Sequence, residues 1–185
     1  MNPPNTSREE IMRVSRKIVS EKGLPALNMR ALAKECGIAL GTLYNYYSDK
    51  DELVVAAIES VWQDILEKSA PDSGVRFSQY VTQIYARILS GLKDYPDFFA
   101  AHSISVAGSA KGKARGTMER CFGKIRAELH AALLADKNVD RGIFSETFRE
   151  ENLIGHILDT ITISIIKGKS DCAALTEILD RLLYR

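Results

Sequence analysis

The chain has 185 residues, of which 45% are hydrophobic and 26% charged, and its formal net charge is +1. This composition is typical of a globular protein and excludes an intrinsically disordered chain. No apolar run approaches the roughly 20 residues of a membrane span, and the first residues lack the basic and apolar regions of a secretory signal.

The three cysteines are Cys36, Cys121 and Cys172, and their wide spacing fits neither a disulfide framework nor a zinc site. We therefore predict free, buried thiols in a reducing cytoplasm, without a metal or a cofactor. The charge is unevenly distributed, because residues 1–50 carry eight Lys and Arg against five Asp and Glu. This asymmetry permits an N-terminal phosphate-binding surface without requiring one.

The segment 28–50, NMRALAKECGIALGTLYNYYSDK, is the most informative part of the chain. Asn28 is a good N-cap, so a helix is predicted to begin after it and to end at Gly37. Another helix, about 39–47, follows directly and is crowded with polar and aromatic residues. Two short helices joined by a tight glycine turn are the arrangement of a helix-turn-helix, whose second helix enters the major groove of DNA.

The middle of the chain has the apolar spacing of further helices. Ser48 and Asp51 have the spacing of a capping box, which predicts a helix of about 48–69. A short helix is predicted after Pro96. The segment 108–116, GSAKGKARG, is predicted to be a polar loop before a longer helix.

Two final helices are predicted at about 145–167 and 171–184. The alternating β-branched residues of 160–166 suggest a strand when they are read alone. However, they also continue the helical spacing of the residues before them, and no other segment offers a partner strand. We therefore prefer a helix here.

The fold class that these elements predict is all-α, with about nine helices. The N-terminal helix-turn-helix domain is predicted to cover residues 1–52. A larger helical regulatory and dimerisation domain is predicted to cover residues 53–185.

The helix-turn-helix resembles the TetR family of bacterial transcriptional regulators in spacing and residue type, over roughly residues 10–55. The residues that carry the resemblance are Leu32, Ala33, Gly37, Ile38, Gly41, Thr42, Leu43, Tyr44, Tyr47, Lys50 and Leu53. The resemblance implies a homodimeric regulator of transcription that binds double-stranded DNA. Such a regulator would be a repressor that a small, mostly apolar ligand releases from a palindromic operator. An activator, or a DNA-binding protein that needs no ligand, is the open alternative.

The resemblance also implies which side chains meet DNA. Thr42 and Tyr44 would contact phosphates, and Lys50 would bind the DNA backbone at the start of the fourth helix. Arg30 could reach a base or a phosphate. The positions that family members use to read bases hold Leu40, Gly41, Asn45 and Tyr46. Because the first two of these offer no hydrogen-bonding side chain, reading would depend on DNA shape or on a thymine methyl group.

The larger domain is expected to hold a small-molecule effector and the dimer interface. Residues on helices that could surround a cavity are Tyr85, Phe98, Phe99, His102, Met118, Phe122, His156 and Asp159. The last two helices are apolar on more than one face, which predicts a two-fold dimer packed as a four-helix bundle. The interface residues that we predict are Ile154, Ile157, Leu158, Ile161, Leu175, Ile178, Leu179 and Leu182.

Two other classes of protein fit the sequence less well. The segment GSAKGKA at 108–114 looks like a phosphate-binding loop, but its glycines are too close together and no strand precedes it. We therefore do not expect an enzyme. A non-specific architectural DNA binder is disfavoured by the near-neutral charge, because that mode depends on dense neutralisation of phosphates.

Overall fold

The computed structural model describes residues 6–67, 74–96, 98 and 111–184, and for residues 111–121 it describes the backbone only. These residues contain helices and irregular segments but no strand, which confirms the all-α class. The short helix predicted after Pro96 lies outside the described residues, except for Phe98. The α-helices of the described residues are α1 (Arg8–Lys22), α2 (Met29–Glu35), α3 (Leu40–Tyr44), α4 (Lys50–Glu67), α5 (Phe77–Leu92), α6 (Lys111–Ala135), α7 (Glu150–Ile166) and α8 (Ala173–Leu183).

The described residues form two compact units. The first unit contains 6–65, 91–96, 98 and 111–119, and the second contains 66–67, 74–90 and 120–184. This division follows packing, and it places nearly all of α4 with the helix-turn-helix. The boundary between residues 52 and 53 is a prediction about function and stays one.

In the first unit, short-range capping bonds begin the first two helices. The Ser7 hydroxyl accepts a hydrogen bond from the Glu10 backbone N–H at 3.1 Å, and α1 begins after it. The Asn28 side chain accepts from the Ala31 N–H at 2.9 Å and caps α2, as predicted. The core that these helices enclose includes Ile11, Val14, Ile18, Leu27, Leu32, Leu43, Leu53 and Trp62.

The start of α4 differs from the prediction by one or two residues. The helix begins at Lys50, and Asp49 accepts the Glu52 N–H at 2.7 Å. In return, the Glu52 carboxylate accepts the Ser48 N–H at 2.8 Å. The cap therefore depends on Asp49 and Glu52 rather than on Ser48 and Asp51, because the longer Glu side chain reaches back across the turn.

In the second unit, Asp136 connects distant parts of the chain. Its buried carboxylate accepts hydrogen bonds from the Phe77 N–H at 2.8 Å, the Tyr184 hydroxyl at 2.6 Å and the Asn138 N–H at 2.9 Å. Burial raises the pKa of Asp136, but these hydrogen bonds outweigh it and the net pKa is lowered. Burial is the larger cause, and the hydrogen bond to Asp136 the second, that raises the pKa of Tyr184 to about 12.

Two predicted boundaries in the second half of the chain are wrong. The predicted loop 108–116 is helical from Lys111 onward, since Lys, Ala and Arg favour helix enough to tolerate the glycines among them. Helix α7 begins at Glu150 rather than near Ser145. Ser145 and Phe148 instead form a tight turn, in which the Ser145 N–H donates to the Phe148 carbonyl at 2.9 Å. The alternating segment 160–166 is helical, as we preferred.

Within the described ranges, no helix combines the length and apolar character that a bilayer crossing requires. The same residues contain no group of three His, Cys, Asp or Glu side chains placed to hold a metal ion. Of the cysteines with described side chains, Cys172 is buried and Cys36 is half-buried, and both are free thiols.

Candidate nucleic-acid interface

The turn between α2 and α3 is formed by backbone hydrogen bonds around Gly37. The Ile38 N–H donates to the Ala33 carbonyl at 3.0 Å, which closes the end of α2. Gly37 has φ +65°, a left-handed conformation that a side chain disfavours. The chain therefore reverses within four residues and enters α3 directly.

Leu43 attaches α3 to the core, Tyr47 just after the helix is also buried, and the other residues of α3 are exposed or half-buried. Leu43 and Tyr47 are buried, at 0% and 2% exposure, while the Tyr44 side chain is 50% exposed. Asn45 is also exposed, and Thr42 is half-buried. This alternation leaves short, polar and aromatic groups available to a partner on one side of an anchored helix.

Gly41 and Leu40 form the first turn of α3. Gly41 is exposed, and a Cβ atom built on it would meet no atom within 4 Å. The structure of the single chain therefore does not require glycine at this position. Close approach of the backbone of a binding partner would account for glycine at position 41.

Arg30 at the start of α2 and Lys50 at the start of α4 are both exposed. Neither forms an ion pair with a side chain in the described part of the protein. Their charges are therefore available to an anionic partner. In contrast, Lys22 lies 3.5 Å from the Glu35 carboxylate.

Tyr46 has a contact that the sequence did not indicate. Its hydroxyl donates to the Thr6 carbonyl at 2.6 Å, and Arg8 donates to the Tyr46 carbonyl at 2.9 Å. The Arg8 guanidinium also lies 5.3 Å from the centre of the Tyr47 ring. These contacts join the N-terminal end of the chain to the end of α3 across about 40 residues, a separation at which spacing patterns carry no signal.

A polar network in the first unit links α1, α4 and the segment after α5. Arg16 donates to the Ser60 hydroxyl at 2.5 Å and lies 3.8 Å from the Asp64 carboxylate. Asp64 also accepts from the Tyr95 hydroxyl at 2.7 Å. Burial, with this hydrogen bond as the next cause, raises the pKa of Tyr95.

The residues predicted to line an effector pocket lie in both units or outside the described residues, and the pocket stays a prediction. Tyr85 is buried in the second unit and donates to the Lys169 carbonyl at 2.8 Å, whereas Phe98 packs edge-on against Trp62 in the first unit. His156 and Asp159 are exposed on α7, and Phe122 is half-buried. Phe99, His102 and the side chain of Met118 lie outside the described residues.

The residues predicted to form a dimer interface fall into two groups. Ile178 and Leu182 are exposed at 60% and 38%, and Leu175 is half-buried. Ile163 and Ile166 on α7, which we did not include, are also exposed at 50% and 60%. The remaining predicted residues are buried within the chain itself: Ile154, Ile157, Leu158, Ile161 and Leu179.

Comparison with known proteins identifies the first unit's helix-turn-helix. Residues 11–57 match the family model "Bacterial regulatory proteins, tetR family". The likeness to the TetR family is therefore shown for the helix-turn-helix segment of this chain. This match contains α2, the glycine turn and α3, and it ends within α4.

Relatives of known sequence are similar to part of this chain. An uncharacterised HTH-type transcriptional regulator of Haemophilus influenzae is 33% identical over a 99-residue alignment, and the match covers 47% of this chain and 53% of the relative. The HTH-type transcriptional regulator UidR of Escherichia coli K12 is 32% identical over 78 residues, 42% of this chain and 40% of UidR. The matches therefore span about half of these relatives or less.

Solved structures extend the likeness beyond the helix-turn-helix segment, at the level of fold alone. The structure of BioQ with its natural double-stranded DNA operator has a TM-score of 0.64 at 17% identity, covering 90% of this chain and 89% of BioQ. The fatty acid degradation regulator FadR of Bacillus halodurans has a TM-score of 0.52 at 16% identity, covering 96% and 95%.

Proposed function

We propose that this protein is a sequence-specific DNA-binding regulator of transcription. The observation that carries the proposal is the α2–turn–α3 segment, in which a buried Leu43 anchors a short helix that exposes Tyr44 and Asn45. The TetR-family match over residues 11–57 and the fold shared with operator-bound BioQ support it.

In this proposal, Thr42, Tyr44 and Lys50 bind DNA phosphates and Arg30 binds a phosphate or a base. All four are at least partly exposed, and the two cations lack an ion-pair partner among the described residues. Leu40, Gly41 and Asn45 approach the base edges. Tyr46 has a different role, because its hydroxyl already binds the Thr6 carbonyl. It positions α3 and the N-terminal end of the chain.

In vitro selection from random duplex DNA, followed by fluorescence anisotropy, tests the proposal. We expect a selected sequence to bind at least about 10³-fold more tightly than shuffled DNA. Lys50→Gln should weaken binding and reduce the slope of log K against log salt by about one unit for each half-site. The control Lys124→Gln, at an exposed lysine of α6, should change neither. Equal affinity for selected and shuffled DNA would contradict specific recognition.

We also propose that the protein acts as a two-fold homodimer on a palindromic operator. Exposed apolar side chains on α7 and α8 support this, namely Ile163, Ile166, Ile178 and Leu182. Such side chains gain about 25 cal/mol for each Å² removed from water. Sedimentation at micromolar concentration should show a dimer, and Ile178→Glu should shift it to monomer. Leu134→Glu, a change at an equally exposed leucine of α6, is the matched control.

Repression relieved by a small, mostly apolar ligand is the final part of the proposal. A reporter placed behind the selected operator should be silent when the protein is expressed and active when it is absent. The opposite response would establish an activator. A thermal-shift screen with aromatic and aliphatic compounds should identify ligands that both stabilise the protein and weaken its binding to DNA.

A further inference from the structure

A groove of about 560 Å³ lies in the second unit, between the start of α5 and the end of α6. Three alanines of α6 form its floor, Ala131, Ala132 and Ala135, and Val75 and Tyr80 lie on the α5 side. Its volume falls within the range of small-molecule sites. Because the floor carries no side chain beyond Cβ, a flat apolar group can lie directly against the helix.

The two carboxylates at this groove, Asp136 and Glu128, already have partners in the protein. The Asp136 carboxylate accepts from the Phe77 N–H at 2.8 Å and from the Tyr184 hydroxyl at 2.6 Å. The Glu128 carboxylate lies 2.6 Å from the guanidinium of Arg87, which is itself buried. The Glu128 charge is therefore paired, and the Asp136 carboxylate keeps its charge but already accepts hydrogen bonds at both of its oxygens.

The donors at the groove remain available. Arg76 lies over the Tyr184 ring at 4.9 Å, a contact that leaves the guanidinium N–H groups unbonded. Lys137 is exposed, and the Tyr80 hydroxyl is half-buried beside Glu128. No side chain or carbonyl of the described residues accepts a hydrogen bond from the side chains of Arg76, Lys137 or Tyr80.

The helix end at the groove does not oppose an anion. The last carbonyl groups of α6 would carry negative partial charge, but Arg141 donates to the Leu133 carbonyl at 2.7 Å and to the Leu134 and Asp136 carbonyls at 3.4 Å. The groove thus combines three alanines, the ionised Asp136, a phenolic donor and two cations that form no ion pair with a described residue.

We propose that this groove binds a small amphipathic anion, an aromatic carboxylate whose ring lies on the alanine floor and whose carboxylate binds Arg76 and Lys137. Tyr80 supplies a further hydrogen bond to the carboxylate or to a polar ring substituent. Binding here does not depend on DNA recognition. Only the consequence that such a ligand changes operator affinity rests on the proposed regulatory function.

Isothermal titration of the full-length chain with naphthalene carboxylate and with naphthalene carboxamide tests this site. The two probes share the ring system, and only the carboxylate carries a charge. We expect the carboxylate to bind and the carboxamide to bind about tenfold more weakly or not at all, since one charge-assisted hydrogen bond is worth about 1.4 kcal/mol or more. Equal affinity for the two probes, or no binding of the carboxylate at millimolar concentration, would overturn the proposal.

Three variants assign the binding to this groove. Arg76→Gln and Lys137→Gln should each weaken carboxylate binding about tenfold, and Ala131→Leu should abolish it by filling the floor. Ala131 is exposed, so this last change leaves the core intact, and a thermal melt checks it. Lys124→Gln, an exposed lysine of α6 that does not line the groove, should bind as the parent does. Unchanged affinity in all three groove variants would place the ligand elsewhere and refute the proposal.

This test and the DNA-selection test fail separately. A chain that binds naphthalene carboxylate but no specific DNA retains the groove and loses the proposed function. A chain that selects a DNA sequence but discriminates poorly between the two probes retains the proposed function and loses the groove proposal.

Discussion

Hydrogen bonds of different range stabilise two regions of this protein, the candidate DNA-reading segment 28–45 and the second unit. In the first unit, the candidate DNA-reading segment begins at the Asn28 cap, whose side chain accepts the Ala31 N–H three residues along the chain. The segment then turns at Gly37. In the second unit, the Asp136 carboxylate joins residues 59 and 48 positions away, and Ser78 binds Asp180 across 102 positions. Local hydrogen bonds therefore define the α2 cap and the turn of the candidate DNA-reading segment, whereas long-range polar contacts join distant parts of the second unit.

Of the changes that we predict, replacing Asp136 in the second unit should lower the free energy of unfolding most. Asp136→Ala leaves the Phe77 N–H, the Tyr184 hydroxyl and the Asn138 N–H without their acceptor. Because an unsatisfied buried donor costs about 1 to 3 kcal/mol, we expect a loss of about 3 to 5 kcal/mol in the free energy of unfolding. Urea denaturation measures it. Asp159→Ala, at an exposed carboxylate of α7, should cost less than about 0.5 kcal/mol.

The lowered pKa of Asp136 also predicts an acid dependence. Its stabilising contribution is present above the ordinary Asp pKa of about 4 and is lost as the pH falls through the lower value in the folded state. Asp136→Asn should therefore be less stable than the parent at neutral pH, and this difference should shrink below about pH 4. A difference that stays constant down to pH 2 would contradict the ionised, hydrogen-bonded carboxylate.

Close packing in the first unit is tested at Gly91. A Cβ atom at this position would lie 2.6 Å from Ile65 Cγ2 and 3.0 Å from Ile65 Cα, and the backbone cannot yield easily. Gly91→Ala should therefore cost about 1 to 3 kcal/mol, although alanine favours helix. Gly155→Ala in α7, where a Cβ meets nothing within 4 Å, should instead stabilise by up to about 1 kcal/mol. Opposite signs for these two changes are the expected result in thermal melts.

One buried tyrosine hydroxyl in each unit allows a direct comparison of polar contacts between the two units. Tyr95 donates to the Asp64 carboxylate at 2.7 Å in the first unit, and Tyr85 donates to the Lys169 carbonyl at 2.8 Å in the second. Bonds to charged acceptors are stronger, so Tyr95→Phe should cost about 1.5 kcal/mol or more and Tyr85→Phe about 1 kcal/mol. If Tyr95→Phe leaves both stability and DNA affinity unchanged, the Arg16–Asp64–Tyr95 network does not support α1.

The same difference in range explains what the sequence could predict. Asn28 and Gly37 act on neighbours within five residues, so their spacing predicted the α2 cap and the turn directly. The Tyr46 contact with Thr6 and the Asp136 contacts join residues whose proximity exists only after folding. Burial of Ile154, Ile157 and Ile161 within the chain had the same cause, since a helical stripe does not indicate whether its partner belongs to the same chain or to another.

The smallest change that we predict in detail concerns the Asn28 cap. Asn28→Ala removes the acceptor for the Ala31 N–H at 2.9 Å and should cost about 1 kcal/mol. Because the contact is local, hydrogen exchange should accelerate in α2 and α3, while amides of α7 and α8 keep their protection. Asn28→Asp retains an acceptor and is the matched control. If the loss of hydrogen-exchange protection spreads evenly over both units, the candidate DNA-reading segment is not a separately stabilised region, and local capping alone does not stabilise it.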